Sequence, residues 1–124
     1  MSDWHGAIAH TEFGSTDTKA TMAFLSATFG TQFTPSPPGS PMEYNMAYTP
    51  GEPSLAVRPT MPMEPGPSTT PYFLTGDIDA TLRKADAAGA TTILPKMEIP
   101  GGQGWMAWLQ IPGGPIIAVM QNGQ

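Results

Sequence analysis

The segment Ala7–Phe13 reads as a β-strand that carries two chemically able side chains, His10 and Glu12. Residues two apart on a strand point to one face. An imidazole beside a carboxylate suits general acid–base work, with Glu12 as the base and His10 poising it. The same pair could also give a weak two-ligand contact to a metal. Arg58 ends a second extended segment, Ser54–Arg58, and its guanidinium could hold an anionic group in a forked contact. The chain has no cysteine, which removes a disulfide framework, a thiolate zinc site and a thiol nucleophile. Pro100–Gly104 and Pro112–Gly114 lack the lysine and the strand-to-helix setting of a phosphate loop, so they read as turns.

An internal repeat supplies the elements that must position these residues. Shifted by 60 residues, the chain matches itself at Phe13/Phe73, Asp17/Asp77, Ala20/Ala80, Thr21/Thr81, Ala27/Ala87 and Thr31/Thr91. In each copy an extended apolar segment leads to an aspartate able to cap a helix, then to a helical stretch and a glycine stop. The first helix is predicted from Thr18 to about Phe29, with Met22, Leu25 and Phe29 as its apolar positions and Gly30 as its stop. The second is predicted from Ile78 to Ala88, with Ile78, Leu82 and Ala85 on one face and Gly89 as its cap. Strands are expected at Thr31–Thr34, Tyr44–Thr49 and Ser54–Arg58 in copy one. Copy two should form Tyr72–Thr75 before its helix and Thr91–Leu94, Trp105–Gln110 and Ile116–Gln121 after it. Each unit is then β-α-β-β-β, over about 7–60 and 70–122, with a proline-rich linker at about 61–69.

Two such units in tandem resemble the glyoxalase, bleomycin-resistance and extradiol-dioxygenase (vicinal oxygen chelate) superfamily. The segment AHTEFGSTDTKATMAFLSATFG is similar to that family's opening strand and helix. The segment PYFLTGDIDATLRKADAAGATTILPKMEIPGGQGWMAWLQIPGGPIIAVMQ is similar to the second half of its non-metal-binding branch. The resemblance implies a single α+β domain, in which a curved mixed sheet surrounds a cavity and the helices lie outside. It also implies where metal ligands would stand: one on the first strand and one on the last strand of each unit. His10 matches the first of these positions. Thr70, Ala56 and Ala118 fall at the others, and none of the three suits a catalytic metal, which needs about three protein groups. No metal and no cofactor are therefore expected.

With those positions taken as cavity-facing, strand alternation places Ile8, His10, Glu12, Ser54, Ala56, Arg58, Thr70, Tyr72, Leu74, Ile116, Ala118 and Met120 on the inner face. Phe13, Leu55, Val57, Phe73, Ile117 and Val119 then form an apolar outer face suited to helices. The ligand-binding candidates are Arg58, Tyr72, Thr70, Ala118 and Met120; the catalytic candidates are Glu12 and His10. Glu12 is as well suited to an ion pair with Arg58 or His10 as to a base. Tyr44, Met46 and Tyr48 share a strand face and read as core or dimer packing. Trp105 and Trp108 point to opposite faces, with neither assigned to the cavity.

Composition narrows the partners. With 12% charged residues and a formal net charge of −5, the chain would repel polyanions, so nucleic acid is excluded. No signal peptide or membrane-length apolar run is visible, which predicts a soluble cytoplasmic protein. The resemblance implies a homodimer, and the low charge content and the tyrosine–methionine stripe agree with exposed apolar surface. The expected function is metal-free binding of a small amphipathic or aromatic molecule. The alternatives are a metal-independent lyase or isomerase with Glu12 as base, or a metal-dependent enzyme of the same superfamily. The residues leave open whether any reaction occurs.

Overall fold

The computed structural model describes residues 5–99 and 102–122. Among them are seven strands and two helices: β1 (Ile8–Ser15), α1 (Thr18–Phe29), β2 (Asn45–Ala47), β3 (Ser54–Pro59), β4 (Ser68–Leu74), α2 (Ile78–Ala87), β5 (Thr91–Ile99), β6 (Gly104–Gln110) and β7 (Ile116–Asn122). The class is α+β, as the resemblance implies. The chain divides into two compact units, His10–Thr70 and Met1–Ala9 with Pro71–Gln124.

Both units use the same pairing plan. In the first, β1 pairs parallel with β3, and β2 pairs antiparallel with β3. In the second, β4 pairs parallel with β7, β6 antiparallel with β7, and β5 antiparallel with β6. The repeat extends to the helix caps. Asp17 accepts from the Ala20 amide at 3.1 Å and Asp77 from the Ala80 amide at 3.0 Å. The Ser15 and Thr21 hydroxyls meet at 2.7 Å, and so do those of Thr75 and Thr81. Each aspartate ties off one free amide at the start of its helix. Gly30, at φ 72, and Gly89, at φ 100, turn the chain out of the helices in the left-handed conformation that glycine adopts without strain.

Several predicted elements differ from what forms. Thr31–Thr34 is not a strand; only Thr34 pairs, through an isolated bridge to Met46. Pro35, Pro37 and Pro38 follow at once and supply no amide protons to extend a ladder. The Tyr44–Thr49 strand shortens to Asn45–Ala47. Strand β5 runs to Ile99 rather than Leu94, because register shifts around Leu94 let it carry Pro95. Strand β4 starts at Ser68, so the last linker residues are strand. The turn predicted at Pro100–Gly104 lies partly outside the described residues.

In the second unit Ile78, Ala107, Leu109 and Val119 are buried together, with Phe73, Leu82, Ala85 and Ile117 packed on them. This is the outer face that alternation assigned, sealed by α2. Helix α1 contributes less. None of its residues is buried, and Phe24 and Phe29 are 62% and 72% exposed.

Candidate functional site

Within the His10–Thr70 unit, β1 and β3 place Glu12 opposite Ala56, and β2 sets Met46 opposite Ala56 in turn. Side chains in one row of a pleated sheet share a face. His10, Glu12 and Arg58 are brought together there, all buried at 7%, 4% and 1% exposure.

Arg58 Nε donates to Glu12 Oε1 at 2.7 Å. The other carboxylate oxygen, Oε2, accepts from the Tyr44 hydroxyl at 2.6 Å. Tyr44 Oη also lies 2.7 Å from His10 Nε2. A hydroxyl has one proton, and here it goes to Glu12, so His10 Nε2–H must donate to the tyrosine oxygen. His10 Nδ1 meets Ser54 Oγ at 2.6 Å and, in a neutral ring, accepts its proton. Burial lowers the His10 pKa, and the nearby Glu12 charge only partly offsets that. A neutral imidazole fits the hydrogen-bond directions.

Arg58 is held from its other end by Glu64. Nη1 donates to Glu64 Oε1 at 2.8 Å and Nη2 to Glu64 Oε2 at 3.0 Å. Glu64 Oε1 also accepts from the Met61 amide at 2.7 Å, and Oε2 from the Ser68 hydroxyl at 2.5 Å. Burial would raise the Glu64 pKa, but bonds from Arg58, Ser68 and Met61 outweigh it and hold the carboxyl at about 2. Burial opposes the charge on Arg58, yet Glu64 and Glu12 together keep it firmly protonated. The fork expected to face a ligand is therefore closed on Glu64.

Thr70 is buried in the same unit at 2% exposure. Tyr72, Ala118 and Met120 lie in the other unit, where Tyr72 stands opposite Ala118 across the β4–β7 pair. Trp108 stands opposite Ala118 on the far side and donates its indole proton to Tyr72 Oη at 3.1 Å. Trp108 is thus the tryptophan on the Tyr72 row. Trp105 lies at the surface under the Lys96 ammonium, 4.7 Å from the ring centre. Clefts of about 530 and 410 Å³ open beside Ser15–Asp17 and beside Phe73 and Ile117, and neither is lined by His10, Glu12 or Arg58.

Two central residues escaped the sequence reading. Tyr44 was assigned to packing, yet its hydroxyl joins His10 to Glu12. Glu64 lay in a stretch read as linker. One signal could have found it: a buried guanidinium carries five N–H groups, more than Glu12 can accept.

The fold matches solved structures along almost its whole length. Methylmalonyl-CoA epimerase from Mycobacterium tuberculosis superposes with TM-score 0.68 at 12% identity, over 93% of this chain and 87% of that one. A hypothetical protein from Bacillus halodurans matches with TM-score 0.72 at 13% identity, over 94% of each chain. A variant of Streptomyces coelicolor methylmalonyl-CoA epimerase, in complex with 2-nitronate-propionyl-CoA, matches with TM-score 0.70 at 17% identity, over 95% of each. No family model and no curated protein matches the chain. The chain shares its fold with these structures, and that fold is consistent with the βαβββ vicinal oxygen chelate fold that the resemblance implies.

Proposed function

We propose that this chain binds a small amphipathic or aromatic molecule without a metal, on the strand face of the His10–Thr70 unit that carries His10 and Glu12. One observation carries the reading: the metal-capable donor atoms on β1 are already committed. Glu12 gives one oxygen to Arg58 and one to Tyr44, and His10 uses its ring nitrogens on Ser54 and Tyr44. A guanidinium 2.7 Å from the carboxylate also repels a cation. The residues do not fit a divalent ion.

Polar groups beside Met46 and Ala56 make a surface that is mostly apolar with few polar atoms, as small-molecule sites are. Two epimerase neighbours are in complex with 2-nitronate-propionyl-CoA and with methylmalonyl-CoA. A polyanion of that kind suits this chain poorly. Its net charge is −5, Arg58 is enclosed by two carboxylates, and Lys96 pairs with Asp79 at 3.1 Å. A neutral or singly charged ligand fits better.

A second reading, a metal-independent lyase or isomerase with Glu12 as base, is favoured by the Tyr44 hydroxyl, which gives Glu12 a hydrogen-bonded route to His10. A homodimer is favoured by the exposed Phe24 and Phe29 on α1. A cytoplasmic location accords with there being no described helix long and apolar enough to cross a membrane.

The test is native mass spectrometry of protein purified from its own host, followed by titration of metal-stripped protein with 8-anilinonaphthalene-1-sulfonate. One retained or titrated molecule per chain, unaffected by chelator, supports the reading. Binding that requires a stoichiometric divalent ion overturns it.

A further inference from the structure

Arg58 meets its two carboxylates unequally. Glu64 receives both terminal nitrogens, whereas Glu12 Oε1 receives Nε. A lone arginine–carboxylate pair favours two parallel bonds. A side-on approach through Nε and Nη2 would occupy both Glu12 oxygens. Here Glu12 Oε2 accepts from the Tyr44 hydroxyl.

We infer that Glu64 is the positioning residue that keeps the terminal fork of Arg58 turned from Glu12, and through it sets the Tyr44–His10 hydrogen bonds. Glu64 is itself built in. The Met61 amide and the Ser68 hydroxyl orient its carboxylate, and its own amide closes a turn onto the Met61 carbonyl at 2.9 Å. Its side chain is 5% exposed. The strand backbone makes room for the pair at Gly14. A Cβ there would overlap Ser68 Oγ and stand 2.8 Å from Arg58 Nη1 and 2.9 Å from Glu64 Oε1. The proline-rich segment between β3 and β4 is therefore part of the site, and it holds Arg58 away from any ligand. The inference does not depend on what the protein binds.

Proton NMR of the whole chain tests it through the Tyr44 hydroxyl, identified by its loss in Tyr44→Phe. Wild type should show this proton protected from exchange. Glu64→Gln keeps the shape but offers one acceptor in place of two, so Arg58 should turn its fork to Glu12 and the protected signal should vanish. Gly14→Ala should have the same effect without altering a charge, and it serves if Glu64→Gln fails to fold. Ser68→Ala loosens the loop but leaves the ion pair, and should retain the signal. A protected Tyr44 proton that persists in both Glu64→Gln and Gly14→Ala overturns the inference. So does its equal loss in Ser68→Ala, which would trace the effect to loop order alone, or its absence from wild type.

Discussion

The Tyr44 hydroxyl donates to Glu12 Oε2 over 2.6 Å across 32 positions of sequence, and with the same oxygen accepts from His10. One side chain outside the regular strands thereby decides the proton arrangement of two strand residues. It fixes the His10 tautomer and holds the Glu12 carboxylate against the pull of Arg58.

Removing Arg58 should be the most damaging single change. Arg58→Ala leaves Glu12 and Glu64 as buried carboxylates without their counter-charge. The expected loss is about 3–5 kcal/mol of unfolding free energy. Urea denaturation at neutral pH measures it. Arg58→Lys should recover only part of that loss, because an ammonium cannot bridge Glu12 and Glu64 as the fork does. A loss below about 1 kcal/mol would show that the cluster is solvated rather than buried.

Tyr44→Phe keeps the ring and removes the link. Glu12 Oε2 and His10 Nε2 each lose a buried partner, and the cost should be about 1–3 kcal/mol. The His10 ring should then lose its fixed tautomer, visible in its ¹⁵N shifts. Unchanged stability would mean that water replaces the hydroxyl.

Two limbs should appear in the pH dependence of stability. His10 is depressed below its ordinary 6.5, so the unfolded chain takes up a proton that the folded chain resists. Its contribution is complete above 6.5 and is lost as pH falls through the folded value. Glu64 shifts from 4.5 to about 2, so its contribution is complete above 4.5 and fades toward pH 2. Denaturation midpoints measured from pH 7.5 downward should show both limbs. His10→Asn should flatten the upper one and Glu64→Gln the lower one. A midpoint that does not change between pH 7 and 5 would contradict the His10 assignment.

Elemental analysis after dialysis should find well under one zinc, nickel, iron or manganese per chain. Adding any of these ions should leave the thermal midpoint unchanged, since a metal bound to the native state would raise it. A saturable rise in the midpoint would show that the His10 and Glu12 bonds open to admit an ion.

The repeat, both helices with their aspartate caps and most strands were legible in the sequence. Their causes are local: a carboxylate three residues before a free amide, a glycine where φ turns positive, and alternation with period two. The pairing of Glu12 with Arg58 was within reach for the same reason, because strand parity puts both on one face. Strand ends were less legible. The Thr31–Thr34 strand failed against the prolines that follow it, and Phe29 proved exposed because α1 buries no side chain in its unit.

The sequence by itself determined the element order, the face on which His10, Glu12 and Arg58 stand, and the mismatch of Ala56 and Ala118 to a metal. The first two follow from residue type and short-range period, and the third from the ligand positions that the resemblance implies. Only the tertiary structure decided who occupies whom: that Tyr44 belongs to His10 and Glu12, that Glu64 takes the fork of Arg58, and that Trp108 rather than Trp105 meets Tyr72. Hydrogen bonds between residues far apart in sequence depend on where irregular segments return to the sheet, and no periodicity records that return.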